Sequence, residues 1–66
     1  MNERRKRILG ALVQEYVRSA QPVSSQVLVD RHDLACSPAT VRNELSALEE
    51  SGHVYQPHVS AGRMPT

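Results

Sequence analysis

Sixty-six residues with a net charge of +1, no Trp or Phe and two Tyr leave room for one small domain, whose core must come from Leu, Val, Ile and Ala. No apolar run approaches the roughly 20 residues of a membrane-spanning helix, the lone Cys36 excludes an internal disulfide, and the N-terminus lacks a signal-peptide pattern, so a soluble cytoplasmic domain is expected. The near-neutral total points to no polyanion by itself, but Arg4, Arg5, Lys6 and Arg7 cluster at one end while Glu44, Glu49 and Glu50 make the later stretch acidic.

From Glu3 to about Ser19, the residues Ile8, Leu9, Leu12, Val13, Tyr16, Val17 and Ala20 recur at three- and four-residue steps. This spacing predicts an amphipathic helix with that broad stripe turned to the core. Asn2 suits its N-cap. Gly10 lies inside the helix, off the stripe's centre, where it costs about 1 kcal/mol relative to Ala. Gln21-Pro22 ends the pattern. A short second helix follows, capped by Ser24 or Ser25 and running to about His32, with Leu28 in the core and Val27 or Val29 at its margin. Two turns do not stand alone in water, so this helix must be held by its neighbours. Asp33-Leu34-Ala35-Cys36 is the connection onward.

The third helix has both ends written into it. Ser37 is the N-cap, Pro38 occupies the first helical position, and Gly52 supplies a left-handed residue past the end. Cys36 and Val41 are placed to close a hydrophobic staple. Val41, Leu45 and Leu48 form a narrow inner face, and the opposite face carries Ala39, Asn43 and Ser46, flanked by Thr40, Arg42 and Ala47. That outer face holds small residues, amide, hydroxyl and one guanidinium, a surface suited to lie against something polar.

Beyond Gly52, His53-Val54-Tyr55-Gln56 reads as a strand stopped by Pro57, and His58 to Gly62 as a loop of small residues. Arg63-Met64-Pro65-Thr66 begins the return. Helix, helix, helix and hairpin is the order of a winged helix-turn-helix, a mainly α fold with a small β-hairpin. A two-stranded wing is marginal even when complete, and the chain stops where the second strand forms. Residues 1–66 are therefore expected to be one domain: either an N-terminal fragment with a wing cut short, the favoured reading, or a wing that pairs in a way the sequence does not show.

Arg42 and Asn43, with Ala39 and Ser46 beside them, are the candidates for contact with DNA bases. An Arg fork matches guanine O6 and N7, and an Asn amide matches adenine N6 and N7. The plainer alternative is that Arg42 pairs with a nearby carboxylate and Asn43 is merely exposed. Ser37 and Thr40 at the helix N-terminus, and Ser24 and Ser25 at the start of the second helix, are candidates for the DNA backbone, although capping alone explains Ser37. Arg4 and Arg5 join them, because cations in the first turns oppose the helix dipole and point all round the axis. In the wing, His58, Ser60, Gly62 and Arg63 are candidates, with Gly62 permitting close backbone approach and Arg63 reaching a phosphate or a narrow minor groove. His32, His53, His58 and Cys36 follow no zinc spacing, and no nucleophile–base set or phosphate-binding Gly loop is present, so neither metal, cofactor nor catalysis is expected. Rival uses are a protein-docking winged helix, which would need an apolar patch on the third helix's outer face, and RNA binding, which would need stacking aromatics.

The run Ser37-Pro38-Ala39-Thr40-Val41-Arg42-Asn43-Glu44-Leu45, followed by Leu48-Glu49-Glu50 and Gly52, resembles the N-terminal domain of the HrcA-type heat-inducible transcription repressors. Gln56-Pro57-His58 and Ser60-Ala61-Gly62-Arg63-Met64-Pro65-Thr66 complete the resemblance, which spans nearly the whole chain. It departs at Ala35-Cys36, where Gly-Val is the family's pattern, and at His53, where Tyr is usual. The resemblance implies a dimeric repressor that binds an inverted-repeat operator upstream of chaperone genes. It also implies modulation by a chaperonin acting on regions outside these residues.

Overall fold

A computed structural model describes residues 1–66 as α1 (Glu3–Ser19), α2 (Ser25–Arg31), α3 (Pro38–Glu50), β1 (Val54–Tyr55) and β2 (Met64–Pro65). Each helix starts on the polar residue expected to cap it. Asn2 Oδ1 accepts from the Arg5 N–H at 2.8 Å, Ser24 Oγ from Val27 at 3.1 Å, and Ser37 Oγ from Thr40 at 3.2 Å. Such caps satisfy donors that the helix itself leaves free. At the other end of α3, His53 N–H bonds to the Leu48 carbonyl and Gly52 N–H to that of Glu49, with Gly52 at φ 83°. This pair of reversed bonds is the Schellman arrangement, and it turns the chain straight into β1.

The face that α1 buries is not the one its long apolar residues outline. Ile8, Ala11, Leu12 and Glu15 are buried, Leu9 and Tyr16 are half-buried, and Val13 and Val17 are 39% and 77% exposed. Ala20 is exposed as well, in a left-handed conformation at φ 54° that ends the helix. The core face is thus rotated by roughly 100° from the expected stripe, about one residue step. Ala11 and Glu15 carry weak apolar signals, but a small residue lets a neighbour approach and a paired carboxylate survives burial. In α2, Leu28 is fully covered, Val29 packs against the core and Val27 faces out. In α3, Val41, Leu45 and Leu48 are buried as expected, and Glu44 is buried with them.

The side chains of Ile8, Leu12, Leu28, Val41, Leu45, Leu48 and Val54 form the centre, completed by Ala11, Val23 and Leu34. Cys36 packs against this cluster with its Sγ 3.2 Å from the Leu34 carbonyl oxygen. Ala35 just before it is left-handed at φ 55°. An L-residue pays about 1–2 kcal/mol there.

The wing closes, through pairing of the kind the sequence does not show. β1 and β2 are antiparallel, with Val54 opposite Pro65 and Tyr55 opposite Met64. Arg63 also exchanges two backbone hydrogen bonds with Val23, at 2.8 and 2.9 Å, and Thr66 N–H reaches the His53 carbonyl at 3.2 Å. The linker between α1 and α2 thereby serves as a third partner for the hairpin. A local reading of residues 53–66 contains no sign of this pairing, because the partner lies some forty residues upstream.

Candidate nucleic-acid interface

Arg42, Asn43, Ala39 and Ser46 are exposed together on the outer face of α3, and Thr40 is half-buried beside them. Arg42 takes part in no ion pair, so the structure does not hold it on a carboxylate. Apart from Arg7, every other Lys and Arg is paired. The hydroxyls are already engaged: Ser46 donates to the Arg42 carbonyl at 3.2 Å, and Ser37 donates to Thr40 Oγ1 at 3.1 Å while capping α3.

Arg4 and Arg5 do not stand free at the start of α1. Their Nε atoms each lie 3.2 Å from one oxygen of Glu44, buried on α3, and both side chains remain partly exposed. Burial alone would raise the Glu44 carboxyl. The hydrogen bonds from Arg4 and Arg5 and their charges outweigh it, and the net effect is a lowered pKa. Glu44 lies beside the inner stripe, next to Leu45 and three residues after Val41. Its position, together with the excess of cations at residues 4–7, is the signal by which this clamp is legible.

A second clamp joins α1 to the end of α2. Glu15 Oε1 lies 3.0 Å from His32 Nε2, 3.2 Å from Arg31 Nε and 3.7 Å from Arg18 Nη1. Here too burial pushes the carboxyl up, and the His32 hydrogen bond with the charges of Arg31, Arg18 and His32 brings it below its usual value.

In the wing, His58, Val59 and Ser60 are exposed, Val59 to 96%. The turn beneath them is tied by Gln56, whose Nε2 donates to the carbonyls of Val59 at 2.9 Å and Ala61 at 2.7 Å. Sequence reading placed Gln56 at the end of a strand and gave it no such role. Gly62 has no room for a side chain, since a Cβ would fall 2.3 Å from the Val23 carbonyl. The close approach it permits within the protein is to the α1–α2 linker. Arg63 is only 14% exposed at its side chain, with Nε 2.9 Å from Glu49 Oε1.

Ser24, Ser25, Arg42, Ser60, Gly62 and Arg63 border one open cleft of about 300 Å³ between the start of α2, the middle of α3 and the wing. Ala39, Asn43 and Ser46 lie outside it on the helix's outer face, as do Ser37 and Thr40 at its N-terminus, Arg4 and Arg5 on Glu44, and His58 at the wing's turn. No helix is long and apolar enough to cross a membrane.

No family model matches the chain. Individual proteins do. The chain is 57% identical over 65 residues to the heat-inducible transcription repressor HrcA of Beutenbergia cavernae, covering 98% of this chain and 18% of that protein. It is 54% identical over 66 residues to the HrcA of Streptomyces avermitilis, covering all of this chain and 20% of that one. A crystal structure described as that of a hypothetical protein superposes with a TM-score of 0.95 at 44% identity, covering 100% of this chain and 21% of that chain. The chain thus spans about a fifth of the length of the curated relatives it matches. Over its whole length it matches the N-terminal part of these heat-inducible transcription repressors, and it folds as a winged helix-turn-helix.

Proposed function

We propose that this domain reads duplex DNA for a repressor of heat-shock chaperone genes, with residues 37–51 in the major groove and the 57–63 wing along the flanking backbone. The observation that carries the reading is the outer face of α3, where an Arg42 free of ion pairs stands exposed beside Asn43, Ala39 and Ser46 with no large apolar side chain. Arg42 and Asn43 are the principal base readers in this scheme, and Ser37, Thr40, Ser24 and Ser25 meet phosphates. Arg4 and Arg5 add positive charge near the backbone, diminished by their pairing with Glu44. A protein-docking use is less well supported, because it calls for an apolar patch on a face that is polar.

In the full assembly, two copies would read the two halves of an inverted repeat, since a dimer's two-fold symmetry matches that of such a site. An occupied operator would block polymerase sterically, in the cytoplasm and without catalysis, and a chaperonin would act on regions outside these residues. Fluorescence anisotropy on a duplex selected from a randomised library, and on its scrambled counterpart, tests the DNA reading. Arg42→Ala and Asn43→Ala should each lower the ratio of the two affinities by about 1–3 kcal/mol. Equal losses on both duplexes would sink the base-reading roles, and absence of salt-dependent binding by the unaltered protein would sink the reading as a whole.

A further inference from the structure

Arg63 sits where three elements meet. Its backbone N–H and carbonyl are both bonded to Val23 in the α1–α2 linker, and its guanidinium is bonded to Glu49 in the last turn of α3. The residue before it, Gly62, is packed too tightly on Val23 to carry a Cβ. An arginine offered to a phosphate is expected to expose its guanidinium, yet this side chain is 14% exposed and 2.9 Å from a carboxylate. We infer that the Arg63–Glu49 pair is a strut that sets the angle between the wing and α3, making Arg63 a positioning residue and not a DNA contact. The inference rests on the DNA-reading proposal for its consequence, while the strut itself is testable without DNA.

The opposing role for the same two residues is that Glu49 restrains a phosphate-binding Arg63 until DNA replaces it. The two roles differ in the sign of what Glu49 does. Removing any carboxylate near DNA strengthens attraction to phosphate, so Glu49→Gln is compared with Glu50→Gln, which removes the same charge from an exposed neighbour that holds no cation. A strut requires Glu49→Gln to bind the selected duplex about two- to fivefold less tightly than Glu50→Gln, the scale of a partly exposed ion pair. Arg63→Gln should lose affinity by a similar factor while keeping the salt slope of the unaltered protein, because no phosphate contact is removed. Loss of one contact would lower that slope by about 0.9.

Hydrogen exchange at the amides of Val23 and Arg63 reports the strut directly and should quicken in Glu49→Gln but not in Glu50→Gln. All variants are measured where thermal unfolding shows them folded, which separates wing positioning from global stability. A salt slope reduced by about 0.9 in Arg63→Gln, or Glu49→Gln binding as tightly as Glu50→Gln, would overturn the inference. Unchanged amide exchange in Glu49→Gln would do so too, even if the protein bound no DNA. Failure of the unaltered protein to bind duplex, with the amides still quickened, would strike the DNA reading and leave the strut standing.

Discussion

Gly62 and Ala35 are opposite cases of backbone demand. Gly62 is set by space: a methyl group there would meet the carbonyl carbon and oxygen of Val23, both backbone atoms that cannot rotate away. Ala35 is set by torsion, holding φ 55° without the freedom a glycine has. Substitution should therefore act in opposite directions. Gly62→Ala is expected to part the Val23–Arg63 seam and destabilise by about 1–3 kcal/mol, as overpacking does. Ala35→Gly removes left-handed strain and is expected to stabilise by up to about 1 kcal/mol after the entropy of a freer unfolded chain is subtracted. Thermal melts check both, since 1 kcal/mol moves the midpoint of a domain this size by about 4–8 °C. The role of Gly62 as a place of close approach was legible from its lack of a side chain. What approaches it was not, because Val23 comes from a distant part of the chain.

At the scale of elements, the caps and breaks were the most legible features. Asn2, Ser24 and Ser37 each bond a backbone N–H three residues on, and Gly52 ends α3 as its position implied. These are local interactions between residues close in sequence. Orientation about the helix axis is a different matter. α1 packs on α2, α3 and β2 together, and the face that satisfies all three is centred on Ile8, Ala11, Leu12 and Glu15. The apolar residues Val13 and Val17 are left on the outside. Leu12→Ala should cost about 2–5 kcal/mol through lost burial and a cavity, whereas Val17→Lys should stay within about 0.5 kcal/mol of the original. Urea titration of the two variants compares them. A large loss in the second would place Val17 in the core after all. Gly10 faces open space in the same helix, and nothing in the structure explains it.

For the whole molecule, the two buried carboxylates act as rivets between helices. Glu44 joins α3 to the start of α1, and Glu15 joins α1 to the end of α2. Both have a pKa lowered by folding, so each binds its proton less readily in the folded chain than in the unfolded one. The unfolded state then takes up more protons as acid is added, and stability must fall. The contribution is fully present above the ordinary Glu value of about 4.3 and is lost as pH drops through the lowered folded values. Melting midpoints measured from pH 7 downward should therefore stay level with respect to these groups until about pH 5 and then decline. Glu44→Gln should start lower at neutral pH and decline less steeply. An unaltered acid slope in that variant would remove Glu44 from this role.

The number and order of the elements, their caps, and the exposed group Arg42, Asn43, Ala39 and Ser46 were all readable along the chain. These follow from spacing, turn chemistry and helical periodicity, all of which act over a few residues. Which cations are held by carboxylates, which face α1 buries, and how so short a wing is kept closed emerge from the packed fold alone. Those depend on partners far apart in the chain: Arg4 and Arg5 with Glu44, Arg63 with Glu49, and Val23 with Arg63. A charged residue is read as solvated until its partner is placed beside it, and a two-residue strand pair is marginal until a third segment supports it.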